Sequence, residues 1–416
     1  MSLLQVQSAI GLLLLTALAW ALGGCRRGVP VRVVVAGLLL QLALAAVLLN
    51  VPPVRRAFAL IGDAVNALAT ATKAGTTLVF GYLGGGPLPF PEPYPGASFI
   101  LFFQALPLVL VVGALSSVLY HWGVLPAIVK GMAKVLRRLF GLGGAAGFGV
   151  AANVFVGMVE APLMIRAWLA KLTRSEMFVV MTAGLATISG NTLVVYALII
   201  APVVPDAAGQ LLTASLVSAP AAILAGLLMI PPAAGDIATE GGDGIPERLY
   251  DSSMDALVRG TQDGLNLLLG IMASLIVFVA IVALINLALE PLTGLTLQGI
   301  MGWVLWPVAW AMGVPTGEAA TVGASLGVKM IINEFVSYLS LAQSGGAGLS
   351  DRSRLILTYA LCGFSNLGSV GIMVGGMTAM CPERRTDIVR LGLPSLISAT
   401  IACCMTGAVV GVLTAP

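Results

Sequence analysis

Long apolar runs dominate the chain, separated by short polar or Gly/Pro-rich stretches. Runs at residues 4–24, 31–50, 99–120, 177–202, 209–231, 264–289, 355–378 and 391–413 approach or exceed about 18 residues, the length that reads as a membrane span. They predict an all-α polytopic membrane protein with eight transmembrane helices and both ends on one side. Residues 53–80 differ: Pro52-Pro53 opens the stretch, and Arg55, Arg56, Asp63 and Lys73 are scattered among apolar positions. That mixture predicts a helix lying in the membrane interface. Residues 84–97, GGGPLPFPEPYPGA, predict an extended outer loop. Residues 232–262 are acidic and predict a solvated cytoplasmic loop with at most a short helix.

Two further apolar segments, 144–172 and 314–344, do not fit as single spans. Each crossing once would move every later loop to the other side. Re-entrant helical hairpins keep the topology intact, and irregular backbone at membrane depth is tolerated where it lines a cavity or is buried in protein. The first contains ANVFVGMVEAPLMIR, residues 151–165, in which Gly157 and Pro162 flank Glu160. The second contains IINEFVSYL with Glu334. Four regions follow: 1–98 with two spans, the interfacial helix and the outer loop; 99–231 with the third span, first hairpin, and fourth and fifth spans; 232–263, the cytoplasmic loop; and 264–416 with the sixth span, second hairpin and last two spans.

Composition agrees with a lipid solvent. The chain of 416 residues is 58% hydrophobic and 9% charged, with mean hydropathy +1.02, where a soluble protein carries about 25% charged residues. The net charge of +3 therefore reports topology and not nucleic-acid binding. With eight spans, Arg26, Arg27, Arg32, Lys130, Lys134, Arg137, Arg138, Arg166, Lys171, Arg174, Arg248, Arg259, Arg384, Arg385 and Arg390 fall on one side. Arg55, Arg56, Lys73, Arg352 and Arg354 fall on the other, so the bias is 15 to 5 with Lys329 set aside. The positive-inside tendency makes the larger set cytoplasmic and places both termini outside the cytoplasm, in a multi-pass cell (inner) membrane protein. The basic pair after LGGC follows the first apolar run instead of preceding it, which predicts a retained span and not a cleaved signal. Cys25, Cys362, Cys381, Cys403 and Cys404 lack metal-ligand spacing and read as small apolar filler.

The spacing hides a repeat. Glu160 precedes Asn191, in ATISGNTL, by 31 residues, and Glu334 precedes Asn366, in CGFSNLGS, by 32. Each unit is a hairpin with a Glu, a polar turn (LTRSE or LSDRSR), a span interrupted by Ser, Gly and Asn, and a further plain span. The two hairpins enter from opposite sides, a common plan for secondary transporters, whose broken helices offer half-helix N-termini to anionic groups and unwound carbonyls to cations. Ser189 or Gly190 alone reads equally as a helix-packing residue. The two intramembrane carboxylates do not, since an ionised carboxylate costs roughly 2.5–3.5 kcal/mol on insertion scales.

At these residues the sequence resembles the concentrative nucleoside transporter family. FQALPLVLVVGALSSVLYHWGV, VAANVFVGMVEAPLMIRAWLAKLTRSEMFVVMTAGLATISG, LLTASLVSAPAA, NEFVSY and CGFSNLGSVGI are similar to family segments in the same order. The resemblance implies a homotrimer and a cation-coupled symporter importing nucleosides, with Na+ as coupling ion or H+ as the alternative. It implies sodium ligands at Asn153, Thr187 and the carbonyls of Val156 and Ile188. The ribose would meet Glu334, Asn366 and Ser369, with Phe364 near the base and Gly157, Glu160 and Thr192 on the base side. One departure stands out: where sodium-coupled members read GQTEAP, this chain has Met158 and Val159 in place of Gln and Thr. A site that loses buried polar partners loses discrimination, so an altered base preference or a nucleoside-like cargo is a variant reading. An intramembrane hydrolase using Ser189 or Ser369, and a passive channel, are the alternatives from other classes. No nucleophile–base–orienter set supports the first, and two closed hairpins around a broken-helix site disfavour the second.

Overall fold

The computed structural model describes residues 2–25, 29–92, 97–239 and 249–415. Arg26, Arg27, Glu240, Asp243, Glu247 and Arg248, used above for topology or for the acidic loop, lie outside the described residues, as does 93–96 of the outer loop. Every regular element among the described residues is helical. The chain opens with α1 (Leu3–Leu22), α2 (Val31–Asn50) and α3 (Pro52–Phe80). Pro52 and Pro53 open α3 in its first turn, where the missing N–H costs nothing. A short α4 (Leu101–Gln104) leads into α5 (Leu108–His121), then α6 (Val124–Phe140). Helix α6 was not anticipated. It buries Val129, Ala133, Leu136 and Phe140 along one face and is basic on the other, so its charges masked a helical stripe.

The first hairpin comprises α7 (Gly144–Asn153), α8 (Glu160–Met164) and α9 (Arg166–Leu169). The expected fourth span is two half-helices, α10 (Arg174–Ala186) and α11 (Gly190–Ile200), followed by α12 (Ala207–Met229). The polar turn LTRSE is the N-cap of α10: Thr173 and Glu176 form a capping box. Buried Glu176 also accepts from the Gly143 and Thr239 amides at 3.1 and 3.0 Å, pinning the entrance of the hairpin to the segment after α12.

In the second half, α13 (Ser253–Thr293) is a 41-residue helix. It absorbs residues 253–263, which the sequence reading had placed in the loop, because Ser252 caps it through the Asp255 amide. Helix α14 (Leu297–Ala311), also unanticipated, packs along α15 (Ala319–Ile331). The second hairpin is α15 turning into α16 (Glu334–Gln343). The expected seventh span is again two halves, α17 (Asp351–Leu361) and α18 (Leu367–Met380), and α19 (Arg385–Leu413) closes the chain. Among the described residues, seven helical stretches are long and apolar enough to cross a membrane. The remaining expected span, 355–378, falls on the α17–α18 pair, each half too short alone.

Helices α10, α12 and α19 are buried on nearly all faces and form the centre, whereas α13 is exposed along most of its length. Arg352, counted above as a topology marker, is itself buried. Its guanidinium donates to the Gly313, Leu4 and Thr414 carbonyls and to the Ser8 hydroxyl, tying α17 to both ends of the chain.

Candidate transport site

The two hairpin tips, the two helix breaks and one face of α13 enclose a cavity of about 330 Å³. Gly157, Met158, Val159, Glu160, Thr192, Glu334, Phe364, Asn366 and Ser369, the residues predicted for substrate, all line it. Sequence reading missed Tyr196, Asn266, Ser274, Phe278 and Asn333, which line it as well. Asn266, Gly270 and Ser274 lie at i, i+4 and i+8, a polar stripe on one face of a lipid-length helix; that spacing was the available signal. Close packing aims this stripe. A Cβ on Gly260 would meet the Gly113 carbonyl at 2.8 Å and one on Gly264 the Leu110 Cα at 2.9 Å, so α13 lies backbone to backbone on α5.

Glu334 opens α16, where the positive end of the helix favours a carboxylate. Asn333 caps that helix by accepting from the Val336 amide at 3.0 Å. The Glu334 carboxylate is held from both sides: Tyr196 Oη donates to Oε1 at 2.7 Å and Asn366 Nδ2 donates to Oε2 at 2.9 Å. Asn366 in turn caps α18, its Oδ1 accepting from the Ser369 amide at 2.7 Å. A carboxylate oxygen has a second acceptor position, so this group can still take hydroxyl donors from a ligand. Tyr196 belongs to α11 of the first repeat, so it joins the two halves at the residue that carries the charge.

The first hairpin presents Glu160 at the start of α8, exposed to the cavity. Gly157 lies beneath it: a Cβ there would stand 2.1 Å from Glu160 Oε2, so the carboxylate would have to move. Pro162 falls in the first turn of α8, where it starts a helix and does not break one. The repeat is not kept in detail. Asn191 does not bind Glu160 as Asn366 binds Glu334; its Oδ1 accepts from Ser116 on α5 at 3.2 Å. Thr192 spends its hydroxyl on the Ser189 carbonyl at 3.0 Å. Met158 and Val159 reach the cavity but also pack: a Cβ on Gly376 of α18 would meet Val159 Cγ1 at 2.9 Å, and one on Gly184 would meet Met158 Cβ at 3.2 Å.

Behind the first tip lie the four residues predicted for a cation. Asn153 and Thr187 are buried at 2% and 1% exposure. The Thr187 hydroxyl donates to the Asn153 carbonyl at 2.9 Å, so the end of α7 and the α10–α11 break are in direct contact. Among the described residues Asn153 Oδ1, fully buried, has no hydrogen-bond partner. Nor does any backbone N–H there donate to the Val156 or Thr187 carbonyl. A buried amide oxygen without a partner is costly unless something positive reaches it, and neutral oxygens such as this one and the unbonded carbonyls suit a hard monovalent cation. Sequence reading missed Ser215 of α12, whose Oγ sits 3.5 Å from both the Val154 and Ile188 carbonyls.

Three profile matches span almost all of the chain: a Na+ dependent nucleoside transporter N-terminus at residues 10–83, a nucleoside recognition (gate) segment at 102–203, and a Na+ dependent nucleoside transporter C-terminus at 210–411. The chain belongs to the concentrative nucleoside transporter family. Among relatives, an uncharacterized transporter of Haemophilus influenzae is 34% identical over 98% of this chain and 97% of its own length. Nucleoside permease NupC of Helicobacter pylori is 30% identical over 97% and 96%. Sodium/nucleoside cotransporter 1 of Mus musculus is 33% identical, with 99% of this chain matching 64% of that protein. CNTnw in an inward-facing substrate-bound state superposes with a TM-score of 0.91 at 32% identity, covering 100% of both chains. A doubly substituted CNTnw in an outward-facing state gives 0.89 at 31% identity, covering 99% and 98%. The chain is thus a nucleoside-transporter-family membrane protein, and its relatives are transporters and not enzymes.

Proposed function

We propose that this chain is a Na+-coupled nucleoside symporter that imports its cargo by alternating access, as a homotrimer in the cell (inner) membrane with both termini outside the cytoplasm. The observation that carries the reading is the pairing of two unlike sites on adjoining helix breaks. One is a buried oxygen without a hydrogen-bond partner, Asn153 Oδ1, in a hairpin whose Val156 carbonyl takes no backbone N–H among the described residues. The other is a carboxylate, Glu334, whose free acceptor positions face a cavity large enough for a nucleoside.

In this reading Asn153, Thr187 and the Val156 and Ile188 carbonyls hold sodium. Glu334, Asn366 and Ser369 take the ribose hydroxyls, with Phe364 stacked near the base. Gly157, Met158, Val159, Glu160 and Thr192 face the base. The apolar pair Met158–Val159 supports weak base discrimination or a cargo with a less polar base end. Proton coupling is the runner-up, favoured by the two carboxylates, Glu160 and Glu334, that line the cavity.

Uptake into proteoliposomes with a panel of nucleosides, run with a sodium gradient, a proton gradient or neither, tests it. Concentrative uptake with sodium alone is the expected result. Uptake driven only by protons moves the assignment to the carboxylates, and free bases competing as well as nucleosides would reject the ribose contacts.

A further inference from the structure

Lys329 is left unexplained by the transport site. It is a lysine in the second hairpin, on α15, only 1% exposed, and its Nζ donates to the Ala360 carbonyl at 2.8 Å. Among the described residues it makes no ion pair. An unpaired cation in a membrane interior is expensive and calls for a function.

The repeat supplies one. Seven residues before the hairpin glutamate stands Asn153 in the first unit and Gly327 in the second; four residues before the conserved-spacing Asn stands Thr187 in the first and Cys362 in the second. Ile331, which ends α15 as Asn153 ends α7, carries no side-chain oxygen, and by the count from the glutamate and the asparagine Gly327 and Cys362 supply none either. An asparagine could not be accommodated there, since a Cβ on Gly327 would stand 2.2 Å from Met301 Cβ of α14. The turn is also shorter: residues 154–159 separate α7 from α8, whereas only 332–333 separate α15 from α16. What the second copy has instead is an ammonium group on a carbonyl in the last turn of α17, just before the helix break. The C-terminal end of a half-helix is its negative end and the natural seat of a cation.

We propose that the Lys329 ammonium is a tethered substitute for a second coupling cation, occupying in the second repeat the place that an exchangeable ion takes in the first. The inference rests on reading the first repeat as the ion site. It explains why one half of an inverted repeat needs an ion from solution and the other does not. The tethered charge holds the Ala360 carbonyl, at the end of α17, and the start of α16 in the arrangement that presents Glu334 and Asn366, in every step of the cycle.

The test uses the full-length protein, purified and in proteoliposomes, as wild type, Lys329→Ala and Lys329→Met. Lys329→Met keeps most of the side-chain volume and so separates lost charge from lost packing. A hydrogen bond to a charged group sets the expected loss at roughly tenfold to a hundredfold in uptake for both variants. Methylammonium, with choline as the control, should restore uptake and thermal stability in Lys329→Ala, where it has room, and not in Lys329→Met or the wild type. Sodium activation of the wild type should follow a Hill coefficient of about 1, as for one exchangeable site. Wild-type uptake by Lys329→Met, the absence of any methylammonium effect on Lys329→Ala, or a wild-type Hill coefficient of about 2 would each overturn the proposal. If wild-type uptake proves independent of sodium, the first-repeat reading fails. Selective methylammonium rescue would then still support a tethered cation, so the two failures are distinguishable.

Discussion

Replacing Tyr196 by Phe removes one oxygen from the cavity wall and nothing else. Its ring stays wedged against Tyr338 and Phe335, at 5.0 and 5.9 Å between centroids, so the fold should be preserved. What is lost is the 2.7 Å bond to Glu334 Oε1. With Asn366 alone holding Oε2, the carboxylate can swing away from the sugar hydroxyls it is meant to receive. A hydrogen bond to a charged group is worth about 1.5–3 kcal/mol net. The cavity is wide enough for water to replace the phenol, which brings the effect to the bottom of that range or just below it, about 1–1.5 kcal/mol. The expected result is nucleoside binding weakened roughly fivefold to twelvefold. Binding of a nucleoside and of its 2′,3′-dideoxy analogue to purified wild type and variant measures it. Because Tyr196 acts through Glu334, the loss should be confined to the hydroxyl-bearing ligand, and discrimination between the two should shrink. An equal loss for both ligands, or no loss, would refute the argument that Tyr196 positions the sugar-reading carboxylate.

Asn153→Ala and Thr187→Ala should each raise the sodium concentration for half-maximal uptake, read from uptake at graded sodium with choline as balance; unchanged activation in both with normal expression would remove the ion from this site. Gly157→Ala should weaken nucleoside binding by about 0.5–1.5 kcal/mol, the scale of one hydrogen bond lost, because its Cβ displaces the Glu160 carboxylate; titration of the purified variant checks it. Met158→Gln with Val159→Thr should strengthen ordinary nucleoside binding about threefold to tenfold, the scale of one recovered buried hydrogen bond. An unchanged base preference would show that the two side chains serve only to pack against Gly184 and Gly376.

Periodicity and breakers carried most of the architecture. The two hairpins, the two interrupted spans and the polar turns that cap α10 and α17 were legible because charge, Gly, Ser and Asn are conspicuous against an apolar background. Helices α6 and α14 were not, for different reasons. The basic residues of α6 resemble a loop on a hydropathy scale, and α14, apolar but only 15 residues long, is shorter than a run that reads as a span. At the site, residues with an evident charge or amide were found and those with a mixed character were passed over. Tyr196 lies in the apolar run VVYALII, and only the need of a buried phenol for a partner marks it. Ser215 looks like helix-packing filler until its hydroxyl is seen between the Val154 and Ile188 carbonyls. Partners 138 residues apart, such as Tyr196 and Glu334, have no local signature at all.

The contact between the two breaks bears on how ion and cargo are coupled. A Cβ on Gly363, in the α17–α18 break, would stand 2.8 Å from the Ala186 carbonyl at the end of α10, so the two unwound segments touch backbone to backbone. Cys403 of α19 seals the junction, its Sγ within 3.6 Å of both the Ala186 and Cys362 carbonyls. Thr187 and Ile188, assigned to the ion, follow Ala186 directly; Phe364 and Asn366, assigned to the cargo, follow Gly363 at once. Any adjustment of the first break around a cation therefore presses on the segment that presents Asn366 and, through it, Glu334. Closely packed backbone transmits such a shift because it has no slack to absorb it. Tyr196 closes the same circuit from the other side, running from the helix after the first break to the carboxylate of the second hairpin. The cysteine that composition alone reads as apolar filler thus sits where the two halves of the repeat meet.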